Sequence, residues 1–474
     1  MSHFDSDNFD DELDNPAAHS HKRQDDIERY KDILKKGGNG IRTIEALEEI
    51  VDFYFEQEKF EEALQFANQL IEFVPYSAEA WIRKGMILNN MFKYDDAIEC
   101  YDHALSLNPV DGEIYINRGI TLDNANRTEE ALENFDKALE IDPTNDEALF
   151  NKGISLEKIE KYQDAVEIFE FLVKEDPSNK DALFELGFCY DFLDRLEESL
   201  KCYDAHINLD PYNHNAWYNR GIVLNRIGEF ERAIDSYDMC IAIKEDFGAA
   251  WYNKGNAYAN VGKFQEAIEC YSQTLRYDSK DVPAWHNMGN AYEELGNYSE
   301  AIKCFGQAIK QDHTHYESFF GRGSCYDLLE QYKKALNDYN RALEYCKDYA
   351  DLWYAKADAE YNLGKYKDSL SSYKMVVQLD ANNSEAWFDY GDTLFELGYL
   401  KESLKALNRS IELNSKYAEA YYTRAKVLFV MKRMLDAVDA LKTAFSLNLD
   451  LRKRFNEDFL GIKSIKEFAS LLQR

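Results

Sequence analysis

Asparagine recurs in this chain at 34-residue steps: Asn117 and Asn151, then, past a Glu185 that breaks the series, Asn219, Asn253 and Asn287. A primary amide donates and accepts, so such a column suits the backbone of an extended peptide whatever its side chains. The alternative is that asparagine merely fills this place in each repeat. One residue earlier runs a ring column: Phe150, Phe184, Tyr218, Tyr252, His286, Phe320, Tyr354, Phe388 and Tyr422. These rings offer contact area to the side chains or cations of a partner, or they pack on the next repeat and stiffen the array. A third set lies a few residues further on: Asp123, Glu157, Asp191, Glu293, Asp327, Asp358 and Asp392. Carboxylates beside aromatic rings suit ligands bearing Lys or Arg, although a solvated charged face is the commoner source of such runs.

Catalytic and metal chemistry have no comparable signature. There is no phosphate-binding glycine loop, HExxH or GxSxG. His19 with His21, and His313 with His315, are isolated pairs, and the eight cysteines include no CxxC. Cys100, Cys202, Cys270 and Cys304 share one place in the 34-residue period and read as small apolar packing residues. The sequence therefore predicts no catalytic residues, no metal and no cofactor.

The elements that position these columns announce themselves by punctuation. Pro75, Pro109, Pro143, Pro177 and Pro211 are each 34 residues apart, as are Gly85, Gly119, Gly153, Gly187, Gly221, Gly255, Gly289 and Gly323. Alanine or serine keeps the same step from Ala63 to Ala437. Within residues 248–281, Trp251, Gly255 and Tyr258 mark one face of a helix. Gly262 makes a turn, and Phe264, Ala267, Cys270, Tyr271 and Thr274 mark one face of a second helix. Gly255 and Ala267 let the two helices approach closely. A hairpin of this size cannot bury its own apolar face, so neighbours must stack into a solenoid. Proline stops the second helix of the early repeats; its loss after Pro211 predicts looser turns in the later ones.

At these residues the chain resembles the tetratricopeptide repeat (TPR) family, whose 34-residue unit carries an aromatic at position 4, Gly or Ala at 8, Tyr at 11, Ala at 20, an aromatic at 24, Ala at 27 and Pro at 32. Residues 112–145 match with Tyr115, Gly119, Ala131, Phe135, Ala138 and Pro143, and residues 214–247 with Trp217, Gly221, Ala233 and Tyr237. Position 7 departs, being mostly basic (Lys84, Arg118, Lys152, Arg220, Lys254, Arg322) where the family has leucine. The resemblance implies an all-α solenoid, a right-handed superhelix of about twelve hairpins over residues 44–451. It implies too that positions 2, 5, 6, 9 and 12 face a concave groove. A similar asparagine column lines the superhelix of O-linked N-acetylglucosamine transferases. The carboxylate clamp of chaperone-binding members is missing, because Tyr252 and His286 stand where its lysine belongs, and the later sites offer Glu317 and Gly321.

Outside the repeats, residues 1–23 read as an acidic flexible tail, 24–43 as a capping helix and linker, and 452–474 as a C-terminal cap. That cap has Phe455, Phe459, Leu460, Ile465, Phe468, Leu471 and Leu472 at helical spacing. A formal charge of −33 disfavours nucleic acid and membrane surfaces as partners. The chain start lacks a basic, apolar leader, and reduced cysteines fit a cytoplasmic setting. The leading expectation is a scaffold that binds other proteins through extended basic or amphipathic segments. Asn117, Asn151, Asn219, Asn253 and Asn287 would hold the ligand backbone. Tyr218, Tyr252, Phe320 and Tyr354 would pack its side chains, and Glu293, Asp327 and Asp358 would set charge preference. Alternatives are self-association through the basic cap (Arg452, Lys453, Arg454, Lys463, Lys466, Arg474) and a non-catalytic, substrate-recruiting subunit of a glycosyltransferase complex.

Overall fold

The computed structural model describes residues 27–29, 31, 32 and 41–458. The acidic tail, most of the N-terminal capping segment, and the C-terminal residues Phe459 to Arg474 lie outside the described residues, with Lys463, Lys466 and Arg474 among them. Among the described residues every regular element is an α-helix, and the helices fall into two compact units divided between Ile227 and Gly228.

In the N-terminal unit, hairpins form from α1 (Ile41–Glu56) with α2 (Phe60–Phe73), α3 (Ala78–Asn90) with α4 (Tyr94–Leu107) and α5 (Gly112–Asn124) with α6 (Thr128–Ile141). Then come α7 (Asp146–Lys158) with α8 (Tyr162–Glu175), α9 (Lys180–Phe192) with α10 (Leu196–Leu209), and α11 (His214–Ile227). The C-terminal unit opens with α12 (Phe230–Ile243). Its hairpins are α13 (Gly248–Asn260) with α14 (Phe264–Tyr277), α15 (Val282–Glu294) with α16 (Tyr298–Gln311), and α17 (Tyr316–Leu328) with α18 (Tyr332–Tyr345). There follow α19 (Ala350–Asn362) with α20 (Tyr366–Leu379), α21 (Ser384–Glu396) with α22 (Leu400–Leu413), α23 (Ala418–Val430) with α24 (Met434–Leu447), and α25 (Leu451–Asp458). This is the all-α solenoid expected of the sequence.

Three local rules build each hairpin. Glycine at position 8 gives room to the ring at position 24: a Cβ on Gly255 would sit 2.7 Å from Tyr271, and one on Gly153 would sit 2.5 Å from Phe169. Position 15 makes the turn with a left-handed backbone in every repeat, occupied by Gly262 (φ 75°) but also by Phe92 (φ 61°) and Glu160 (φ 61°). Position 4 ties the repeat to the preceding turn. All six tryptophans donate their indole N–H to the carbonyl six residues back, as Trp251 does to Glu245 (3.0 Å) and Trp353 to Lys347 (2.8 Å).

Most turns after Pro211 keep the geometry of the earlier ones, against the expectation of loosening; residues 346–349 are the exception, a bend in place of the hydrogen-bonded turn. The residue after the second helix donates to the carbonyl four back with proline (Asp176 to Leu172, 2.9 Å) and without it (Asp278 to Thr274, 2.9 Å). The side chain of that residue then accepts from the backbone N–H two residues on: Asp176 from Ser178, Asp278 from Lys280, Asp312 from Thr314, Asn414 from Lys416. An Asx turn of this kind fixes the chain without proline.

The basic residues of position 7 lie across repeat boundaries. Arg118 pairs with Asp102, Lys152 with Asp136, Arg220 with Asp204 and Lys254 with Asp238, in each case reaching back to the second helix of the preceding repeat. Their stems also cover apolar surface, with Arg220 over Trp217 and Lys254 over Trp251. Where position 7 is Met288, the facing residue is Ser272 rather than an acid. Where it is Arg322, Gly306 leaves no partner behind it, and the guanidinium turns to the buried Asp338 (2.7 and 2.8 Å).

At the ends, Ile27 is buried against Ile50 and Phe53, and Phe455 of α25 packs edge-on to Phe445. The four cysteines of the shared position are buried, and burial pushes their thiols up to about 11 or 12. That matches their reading as packing residues.

Candidate interaction surface

In the C-terminal unit, positions 5, 6, 9 and 12 of consecutive first helices are joined by side-chain hydrogen bonds. Tyr252 (position 5) accepts from the Asn287 amide (position 6 of the next repeat) at 3.0 Å, and Asn256 (position 9) accepts from the same amide at 3.0 Å. Ser324 (position 9) donates to Glu293 (position 12 of the previous repeat) at 2.9 Å.

The asparagines are engaged within the chain. Asn117 and Asn151 donate to the carbonyls of Glu113 and Glu147 one turn back in their own helices, and Asn219 donates to the Tyr203 hydroxyl at 3.3 Å. Asn253 also has a partner. The column ends at Gly321, where a Cβ would meet Phe305 at 2.7 Å. The ring column is likewise partly inward: Phe150 packs edge-on to Phe169, Phe184 to Tyr203, Phe320 tilts onto Tyr339 and Tyr354 lies edge-on to Tyr373. These position-5 rings thus lean on the position-24 ring of their own repeat, whereas Phe388, whose repeat has Leu407 there, packs on Tyr417. Tyr218 belongs to the N-terminal unit and is half-buried on α11.

The carboxylates divide by unit. In the N-terminal unit, Asp123 accepts from Lys158 and Thr128, and Asp191 is held by Arg226. Glu157 accepts from the Cys189 thiol at 2.9 Å, and burial raises its carboxyl to about 8; burial raises Glu185 to about 7.

The C-terminal unit holds the densest group. Tyr373 donates to Asp358, Tyr354 to Asp389, and Tyr361 to Asp392 at 3.2 Å. Beside them Asp327 keeps a buried Oδ1 that accepts no hydrogen bond. Burial, with repulsion from Asp327, lifts Asp358 to about 6; burial, with repulsion from Asp358, Asp392 and Glu385, lifts Asp389 to about 7. Burial also raises Asp327 and Asp392. The phenols that donate to them are pushed upward by burial and by the carboxylates themselves. Sequence reasoning had picked Glu293, Asp327, Asp358 and Asp392 from this group. It missed Asp389, which continues the asparagine column three repeats past Asn287, and it missed the phenols Tyr361 and Tyr373. Only the folded chain brings Tyr373 to Asp358, Tyr361 to Asp392 and Tyr354 to Asp389.

Among the described residues no cluster of three or more His, Cys, Asp or Glu is arranged to hold a metal, and no helix is long and apolar enough to cross a membrane. In the described part of the C-terminal cap, Arg454 binds both carboxylate oxygens of Glu419 (3.0 and 3.1 Å) and lies over Tyr422, while Lys453 pairs with Asp450. Those two charges are engaged inside their own chain.

A solenoid of 34-residue helical hairpins defines a class of protein-interaction scaffolds, and the chain belongs to it as a tetratricopeptide repeat protein. Family models described as tetratricopeptide repeat match residues 78–111, 248–281 and 282–315, with others at 100–133, 316–349 and 350–383. A TPR repeat model matches 391–431, and one for the N-terminal TPR repeats region of Psidin matches 121–233. No curated protein matches the sequence. Among solved structures the chain is similar to MamA (27% identity over 34% of this chain and 94% of that one, TM-score 0.34). It is similar to YrrB, a TPR protein with an unusual peptide-binding site (22%, 40% and 98%, TM-score 0.37). A further likeness is to the C-terminal part of a TPR repeat-containing protein from Cytophaga hutchinsonii (19%, 50% and 97%, TM-score 0.44).

Proposed function

We propose that the chain is a non-catalytic scaffold whose C-terminal unit binds an extended segment bearing Lys or Arg along the first helices of its repeats. The observation that carries this is the group Asp327, Asp358, Asp389 and Asp392, where Asp358, Asp389 and Asp392 are hydrogen-bonded to phenols. Ionised carboxylates packed this way lose hydration and repel one another. A ligand cation arriving among them restores the missing counter-charge, and Tyr354 and Phe320 offer it ring surface.

Fluorescence anisotropy with a labelled extended peptide of alternating basic and apolar residues, set against its Glu-for-Lys counterpart, tests the reading. The basic peptide binds, and Asp358→Asn with Asp389→Asn weakens it by at least about tenfold, the worth of about one desolvated charge pair. Affinity also falls between pH 8 and pH 5, as Asp389 and then Asp358 take up protons. Equal affinity for the two peptides, or an unaltered affinity in the double variant, sinks the proposal.

A further inference from the structure

His286 occupies position 5 of its repeat, where the neighbouring repeats carry Tyr252 and Phe320. Its half-buried imidazole lies against Phe305 (ring centroids 5.4 Å apart) and meets His315 edge-on at 5.1 Å. Nδ1 is 3.1 Å from Ser318 Oγ, and the Asn290 amide lies 3.1 Å from Nε2. His315 is the N-cap of α17. Its Nδ1 accepts the backbone N–H of Ser318 at 3.2 Å and lies 2.9 Å from the same serine hydroxyl. Other repeats place Asn145, Asn179, Asn213, Asp281 or Asn383 in this capping role, side chains that keep their acceptor through mildly acidic pH.

One assignment of protons satisfies these contacts together. The Asn290 amide donates to Nε2 of His286, so His286 carries its proton on Nδ1 and donates it to Ser318 Oγ. The serine hydroxyl then donates onward to Nδ1 of His315, which the backbone N–H of Ser318 already marks as an acceptor. One buried hydroxyl therefore joins α15 to the cap of α17, and the chain closes only while both imidazoles are neutral.

We propose that His286, Ser318 and His315 form an acid-released clasp between consecutive repeats. Protonation of His315 at Nδ1 turns the cap's acceptor into a donor facing two donors, and sets a positive charge at the positive end of the helix dipole. Protonation of His286 at Nε2 sets a donor against the Asn290 amide. Among the surrounding charges, Glu317 lies 3.7 Å from Nε2 of His315 and favours charge on His286, whereas His315 opposes it. Asp312 and His313 stand in the preceding turn. Helix α16 presents the Phe305 ring, α14 packs Ile268, Tyr271 and Leu275 against α15, and α18 packs Leu336, Tyr339 and Leu343 against α17. On α13 the Tyr252 phenol bonds Asn287 of α15. Burial, and then His315, hold His286 down to about 4. A histidine depressed in the fold leaves stability unchanged above its unfolded value of 6.5. Stability is then lost as pH falls from there to about 4, below which it levels off.

Hydrogen exchange of full-length protein, corrected for intrinsic rates and followed by mass spectrometry over residues 312–328 from pH 7.5 to pH 5, reads the clasp directly. Protection at the start of α17 falls by about fivefold in the wild type, the loss of one cap. His315→Asn, which installs the cap of other repeats, is protected at pH 7.5 and loses the pH dependence. His286→Phe, which installs the ring of Phe320, gives the control for the second imidazole. NMR of the chain labelled at histidine Cε1, assigned with both variants, shows His286 titrating well below 6.5. The clasp is overturned if His315→Asn keeps the wild-type pH profile, or if His286 titrates near 6.5 with no response to His315→Asn.

Discussion

At the residue scale, the groups that make the C-terminal unit chemically distinctive also work against its stability. Asp389 has its carboxyl raised to about 7 by burial first and by Asp358, Asp392 and Glu385 next, against the Tyr354 hydrogen bond that lowers it. Its folded value exceeds its unfolded value, so the fold binds the proton more tightly. The stability this gives is complete below about pH 4 and is lost as pH rises through about 7. Asp389→Asn keeps an acceptor for the Tyr354 hydroxyl and removes the charge. We expect thermal melts at pH 8 to show the variant stabilised by about 1–3 kcal/mol, and the difference to vanish by pH 4. A variant less stable than wild type at pH 8 would mean that the Asp389 anion is held favourably after all. Side chains that lower stability while sharing one exposed face are what a binding surface requires, since optimising the fold would replace them.

At the element scale, the hairpin is governed by a few positions whose physics does not depend on the rest of the repeat. Position 15 is left-handed in every repeat, yet Phe92 occupies it with φ 61° and its ring 78% exposed. A left-handed backbone costs an L-residue about 1–2 kcal/mol relative to glycine, and here the side chain recovers little by packing. Phe92→Gly therefore raises stability by about 1 kcal/mol, read as a shift of the urea midpoint at constant slope; an unchanged or lower midpoint would show that the exposed ring packs usefully. The same independence explains what the sequence made legible. Glycine, alanine and aromatic columns recur because each answers a local steric demand, so the hairpins and their period could be read from spacing alone. Partners could not. That Lys254 reaches Asp238, that Tyr361 reaches Asp392, and that Asn219 and Asn287 bond tyrosine hydroxyls depend on how one repeat is set against the next. The position-7 cations hinted at this, because acids stand sixteen residues before Arg118, Lys152, Arg220 and Lys254. Asx residues after the second helix likewise carried the turn signal that proline seemed to monopolise.

At the scale of the whole molecule, two opposing electrostatic effects bear on the array. A formal charge of −33 places like charges along a chain in which each repeat touches only its neighbours, and this self-repulsion favours opening. The stitches Arg118–Asp102, Arg220–Asp204 and Lys254–Asp238 oppose it, but their carboxylates are about half exposed, which limits each to about 1 kcal/mol or less. Salt weakens both, with the Debye length shrinking from about 30 Å at 0.01 M to about 3 Å at 1 M. Repulsion acts over longer distances than a contact pair and so loses more to screening as ionic strength first rises. The melting temperature should therefore climb between low salt and about 0.2 M. Each kcal/mol regained gives about 2–4 °C for a cooperative unit of 150–250 residues. Calorimetry at pH 7.5 across that range decides the balance, with the Arg220→Met and Asp204→Asn double variant as the control that lacks one stitch. A melting temperature that falls steadily with salt in the wild type, and falls less in the control, would place the stabilising charge in the stitches and show that the net charge is already well dispersed.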